Sequence, residues 1–160
     1  MNKRIKKKKL LMENKWLCKR YPFLIPRNHW TGVKVWDGKN KGTWRYARPY
    51  SFTELDTMPR GWAKAFGIKL CEELREELIK YNYLNKYRIL DIKEKYGMLC
   101  WYDTGYPADS KVDEIIQFYE DLSAYTCIRC GRPGEIVNNN GWYEPLCDKC
   151  REEVKKWTQR

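Results

Sequence analysis

The sequence predicts an α+β fold: a small mixed or antiparallel sheet, two helices and a C-terminal four-cysteine module of zinc-ribbon or treble-clef type. Three observations carry this. Residues 59–81 repeat apolar side chains at mostly four-residue intervals. Residues 89–102 place β-branched and aromatic residues on both sides of Lys95-Tyr96-Gly97. Residues 127–150 hold two Cys-x-x-Cys pairs with sixteen residues between them. The divisions expected are a basic tail over 1–15, an α+β domain over 16–124 and a metal-binding module over 125–157.

The basic start is the first uneven feature. Residues 1–50 carry 15 Lys or Arg against 2 acids, and residues 51–160 carry 17 against 19, so the formal charge of +11 is an N-terminal property. Such asymmetry points to a polyanionic partner through phosphate neutralisation and counterion release. Six of the cations fall within Lys3–Lys9, just before Met12. Residues 1–11 therefore read either as a solvated tail or as an upstream start that the functional protein does not need. Only Leu10, Leu11 and Met12 follow the basic run, too short an apolar stretch for a signal peptide. No segment has the roughly 18 apolar residues of a membrane span. A reduced, cytoplasmic protein that does not enter membranes is the expectation, and singly scattered Cys18, Cys71 and Cys100 agree with it.

Residues 16–50 are rich in aromatics and interrupted by Pro and Gly. VKVW and TWRY around DGKNKG read as a hairpin. YPFLIPRNHW reads as extended, because each proline pushes its predecessor toward β or polyproline geometry. From Pro59 to near Tyr81, the stripe Trp62, Phe66, Leu70, Leu74, Leu78 and Tyr81 predicts a helix, with Pro59 in the first turn. Gly67 inside it implies a close neighbour, since glycine costs up to ~1 kcal/mol there relative to alanine. Glu72, Glu73, Glu76 and Glu77 read as its solvated face. Two strands then meet at Lys95-Tyr96-Gly97. Ser110 with Asp113 reads as a capping box opening a second helix, whose inner face is Val112, Ile115, Ile116, Tyr119 and Leu122.

Cys127, Cys130, Cys147 and Cys150 are the strongest chemical signal. Each Cys-x-x-Cys turn aims two thiolates at one cation, and the intervening residues, with Asn138–Gly141 as tip, fold back as a hairpin. Four soft ligands in a closed set indicate one structural Zn²⁺; iron fits the same ligands as the lesser alternative. Knuckle, hairpin, second knuckle and helix together resemble treble-clef and zinc-ribbon modules. The spacing is one residue shorter than that of GATA-type DNA-binding fingers. Residues 127–150 balance three cations against three acids, whereas groove-binding fingers need uncompensated cations. The module therefore reads as a clasp.

No catalytic constellation stands out, and the chain reads as non-enzymatic. His29 is the sole histidine, and beside Arg27 and Trp30 it is a packing residue or a general base. Binding is better supported. Arg20, Arg27, His29, Trp30, Lys34, Trp44, Arg45 and Arg48 are the candidate ligand-binding residues, because aromatic faces stack on bases while Arg and Lys meet phosphates. The alternative stays open that these aromatics are the inner face of a small β layer and the cations its wet side.

The run from WLCKRYPFLIPRNHWTG through GWAKAFGIKLCEELREELIKYNYLNKYRILDIKEKYGMLCWYDTG to YEDLSAYTCIRCGRP resembles a group of small proteins carried by bacteriophages and prophages of Clostridia-type hosts. The resemblance covers nearly everything from Met12 onward and implies a phage accessory role. Together with the basic aromatic half, it gives two expectations. The first is binding of nucleic acid. The second is anti-defence action, by sequestering a signalling nucleotide or inhibiting a host immune protein complex. The residues leave the oligomeric state open.

Overall fold

The computed structural model describes residues 2–37, 48–139 and 141–158. Among these, four helical rods and two separate two-stranded antiparallel hairpins make up an α+β architecture. Among the described residues, no helix is long and apolar enough to cross a membrane.

Helix α1 spans Lys3–Arg20, so the stretch expected as a solvated tail is helical. The reason is local. No Gly or Pro falls between residues 3 and 21, Lys, Arg, Leu and Met are strong helix formers, and the Asn2 side chain accepts from the Arg4 N–H as N-cap. Most of α1 projects into solvent; only Asn14 and Cys18 are buried. The Asn14 amide donates to the Tyr50 carbonyl (3.0 Å) and ties the helix to the chain beyond residue 48.

Pro22–Leu24 form a 3₁₀ turn rather than the expected extended start, since a proline with fixed φ suits a first helical turn. The chain then extends, and Arg27 bridges Lys34 antiparallel across a turn at residues 28–32. The hairpin expected around DGKNKG falls on residues 38–47, outside the described residues.

The long central rod has three parts: α2 (Arg60–Trp62), a π turn (Ala63–Gly67) and α3 (Ile68–Lys80). The π turn answers a problem in the sequence. Side chains spaced strictly by four drift ~40° per step around an α-helix of 3.6 residues per turn. A wider π turn between Trp62 and Phe66 reduces that drift. Trp62, Phe66, Leu70, Leu74 and Leu78 accordingly all reach the core, whereas Tyr81, past the end of the rod, is exposed. Gly67 does lie close to a neighbour: a Cβ there would sit 3.1 Å from Leu55 Cδ1.

Strands β1 (Ile89–Lys95) and β2 (Met98–Asp103) form the predicted hairpin. Tyr96 and Gly97 both have positive φ at its turn, the geometry of a two-residue hairpin loop. Helix α4 (Val112–Ser123) packs beside β2 and satisfies its edge: Ser123 Oγ accepts from the Leu99 N–H and Glu120 Oε1 from the Trp101 N–H, each at 2.8 Å. Val112, Ile116 and Tyr119 are buried, and Ile115 and Leu122 partly so. The capping box is not formed. Ser110 Oγ donates to the Pro107 carbonyl instead, and Glu77 of α3 accepts the Lys111 N–H at 2.9 Å. One core joins Tyr21, Phe23 and Leu24 to the inner faces of α3, α4 and the hairpin.

Candidate metal centre and basic surfaces

Strands β3 (Glu135–Asn139) and β4 (Trp142–Leu146) pair antiparallel, and α5 (Asp148–Thr158) follows. At the tip, Gly141 has φ +89° and its N–H donates to Asn138 Oδ1. The first knuckle is closed by two backbone bonds, from the Gly131 N–H to the Cys127 carbonyl and from the Cys127 N–H to the Arg132 carbonyl. The second knuckle runs directly into α5, where the Arg151 N–H donates to the Cys147 carbonyl.

These turns bring the Sγ atoms of Cys127, Cys130, Cys147 and Cys150 within 4.8 Å of one another. A tetrahedral site with metal–sulfur bonds of about 2.3 Å requires sulfurs about 3.8 Å apart, so the four thiols fit a metal ion with small adjustments. Cys127, Cys147 and Cys150 are buried and Cys130 half-buried. The module's own core consists of these three with Leu146 and Val154. With cysteine supplying most of that core, hydrophobic burial alone is a weak basis for its fold, and a shared cation is the natural remedy.

Arg132, outside the predicted ligand set, stands over the sulfurs. Its Nε is 3.5 Å from Cys130 Sγ and a terminal nitrogen 3.6 Å from Cys147 Sγ. Its hydrogen bonds push the Cys130 thiol down to about 6, whereas burial pushes Cys150 up to about 12. Four thiolates around a dication would carry two excess negative charges, part of which the Arg132 guanidinium would offset.

The module is bolted to the central rod. The Gly61 N–H donates to the Ile128 carbonyl and Trp62 Nε1 to the Thr126 carbonyl, both at 2.8 Å. Ile128 packs against both hydrophobic cores. A Cβ on Gly61 would overlap the Cys127 carbonyl oxygen and lie 2.5 Å from the Ile128 carbonyl. Gly97 at the β1–β2 turn faces Ile136 and the Tyr143 carbonyl, each 3.4 Å from where its Cβ would stand.

Of the predicted ligand-binding residues, Arg27, His29, Trp30 and Lys34 share the turn closed by the Arg27–Lys34 bridge, whereas Arg20 belongs to α1. Arg20 is engaged internally: Nε lies 2.8 Å from Glu72 Oε2 and a terminal nitrogen 2.5 Å from Oε1. The Tyr21 hydroxyl donates to the same carboxylate, and these bonds hold Glu72 below the usual carboxylate range. Arg27 donates to the Gly32 carbonyl, Lys34 is half-buried, and His29 and Arg48 are exposed. Trp30, at the tip of the 28–32 turn, is 93% exposed. Trp44 and Arg45 lie outside the described residues. Of the aromatics, Tyr21 and Phe23 are core, buried at a 3₁₀ turn rather than in the expected β layer, whereas Trp16 and Trp30 are surface.

Sequence reasoning missed Arg88. Its guanidinium packs on Gly32, close enough to Arg27 to oppose its charge. It also misread part of the acidic face. Glu77 is buried, accepting from the Lys111 N–H and Lys80 Nζ, and Glu73 accepts from the Tyr119 hydroxyl at 2.8 Å. Glu76 is exposed as expected.

Searches of protein-family models, curated proteins and solved structures give no match to this chain.

Proposed function

We propose that this is a non-enzymatic, zinc-clasped phage accessory protein that binds nucleic acid through its basic N-terminal half in the host cytosol. The observation that carries the reading is α1: nine Lys or Arg on 18 helical residues, with Glu13 as the one acid, and most of the helix in solvent. Glu13 pairs with Lys9, leaving Lys3–Lys8 to meet phosphates. A helix of this length reaches ~27 Å, and its diameter of about 10–12 Å is what a major groove admits. Trp30 supplies an exposed stacking face, and Arg27 and Arg88 both meet Gly32 in the same turn.

Zinc is the metal that four soft ligands in a closed tetrahedral set select, and free thiols holding it suit a reducing compartment. Cys127, Cys130, Cys147 and Cys150 would bind it, and as a saturated site it would supply folding energy rather than an activated water.

The test is fluorescence anisotropy of a labelled 20-nucleotide strand and a duplex against salt. Contacts with four or more phosphates predict log K falling with log salt at a slope of roughly −3 or steeper. Arg27→Ala with Trp30→Ala should weaken binding at least tenfold with circular dichroism unchanged. A flat salt response with full affinity in that double variant would sink the reading. It would favour the anti-defence alternative, in which a small nucleotide or a host protein is the partner.

A further inference from the structure

A groove of about 700 Å³ runs between the C-terminal half of α1 and the π turn of the central rod. Its outer wall is Trp16, 55% exposed yet positioned, with Tyr21 edge-on to it (6.3 Å, 90°) and the Arg20 guanidinium 5.9 Å from its ring. The opposite wall is the π turn, where Ala63 and Ala65 carry only methyl groups and leave room for a flat group beside the indole. A π turn widens the helix at this point, and such turns recur at functional sites.

Charge around the groove is uneven. Glu72 is bound by Arg20 and lies 3.5 Å from Arg75; Lys69 is 3.9 Å from Glu73; Lys64 is exposed and makes no ion pair among the described residues. Four cations thus meet two carboxylates. The volume falls in the range of small-molecule sites, with one aromatic wall, one small-residue wall and a net positive rim.

We infer that this groove binds a nucleotide, its base against Trp16 and its phosphates toward Lys64 and Lys69. The groove's lining includes neither Trp30 nor Lys3–Lys8, so the inference shares with the proposed function the phosphate chemistry and, where a strand is the source, the α1 surface. The nucleotide has two sources, a free mononucleotide or one residue of a strand held along α1.

The full chain, labelled with 5-fluorotryptophan, is titrated with ATP and CTP. Adenosine serves as the control without phosphate and tripolyphosphate as the control without a base. A 20-nucleotide strand is titrated in parallel. The Trp16 fluorine resonance is assigned from Trp16→Phe. A saturable shift of that resonance is expected, with adenosine and tripolyphosphate each about tenfold weaker or worse than ATP. Trp16→Ala should weaken ATP about tenfold or more and Lys64→Glu about fivefold. Both side chains are exposed, so circular dichroism should not change. A shift with ATP identifies a free nucleotide; a shift with the strand alone identifies a strand residue; either supports the site. A Trp16 resonance that neither ligand moves overturns it, as does tripolyphosphate binding as tightly as ATP. Strand binding with a silent Trp16 refutes the groove and leaves the proposed function standing. An ATP shift without strand binding does the reverse.

Discussion

Gly61 has no room for a methyl group, since the Cys127 and Ile128 carbonyls occupy the space and its N–H is bonded to the latter. Gly61→Ala should push the metal module off the rod and destabilise the protein by about 3 kcal/mol, measured by chemical denaturation; a change below about 0.5 kcal/mol would refute the contact. Glu54 offers a second test. Burial pushes its carboxyl up to about 7, partly opposed by a hydrogen bond from the Arg27 backbone and reinforced by Asp91. The folded state therefore holds this proton more tightly than the unfolded chain does. The stabilisation is complete below the unfolded pKa and is lost as pH rises to about 7. Glu54→Gln should flatten the pH dependence of stability between about pH 4.5 and 7 and gain up to about 3 kcal/mol at pH 8. At this scale the sequence was legible where chemistry is local, as in the Cys-x-x-Cys turns. It was illegible where the partner is remote: Glu77 looks like any solvated helix acid until Lys111, 34 positions away, presents its N–H.

Among the elements, α4 owes its N-terminus to α3. Glu77 replaces the missing cap, and hydrogen bonds from the Lys111 N–H and Lys80 hold its carboxyl below the usual range. Glu77→Ala should cost about 1 kcal/mol near neutral pH. Because the folded pKa is depressed, the wild-type advantage is present above the unfolded pKa and disappears as pH falls through the folded one. An equal deficit in strong acid would show that the side chain acts through packing. Periodicity located the central rod, α4 and the β1–β2 hairpin, because each buries one face. It could not locate α1, whose helix follows from propensity and capping while most of its surface remains wet. Nor could it specify the π turn, which reconciles four-residue spacing with a single core.

For the molecule as a whole, the metal is expected to act far beyond its own module. Chelation or Cys147→Ser should remove the ion, seen in native mass spectra, and lower Tm by about 10 °C or more. Unchanged melting would refute a structural metal. Deleting residues 2–11 removes the projecting part of α1 but neither Asn14 nor Cys18, so Tm should hold within about 2 °C while strand affinity falls and its salt slope flattens. The α+β class and the cysteine cluster were legible in the sequence; the fourth helical rod, α1, and the split of the strands into two separate hairpins were not, nor was the joint to the module, because it is made of backbone carbonyls and glycines rather than any periodic signal.

That joint also bears on biosynthesis. Trp62, fully buried, finds its hydrogen-bond acceptor at Thr126, and Gly61 finds its own at Ile128. A nascent chain stalled before those residues leave the ribosome can bury this indole N–H and backbone N–H only without a protein acceptor, so both stay with water beside unsheltered apolar surface. The central rod cannot settle early and wait. Its completion has to wait for the first knuckle, and a chain cut short in this interval would keep that apolar surface uncovered.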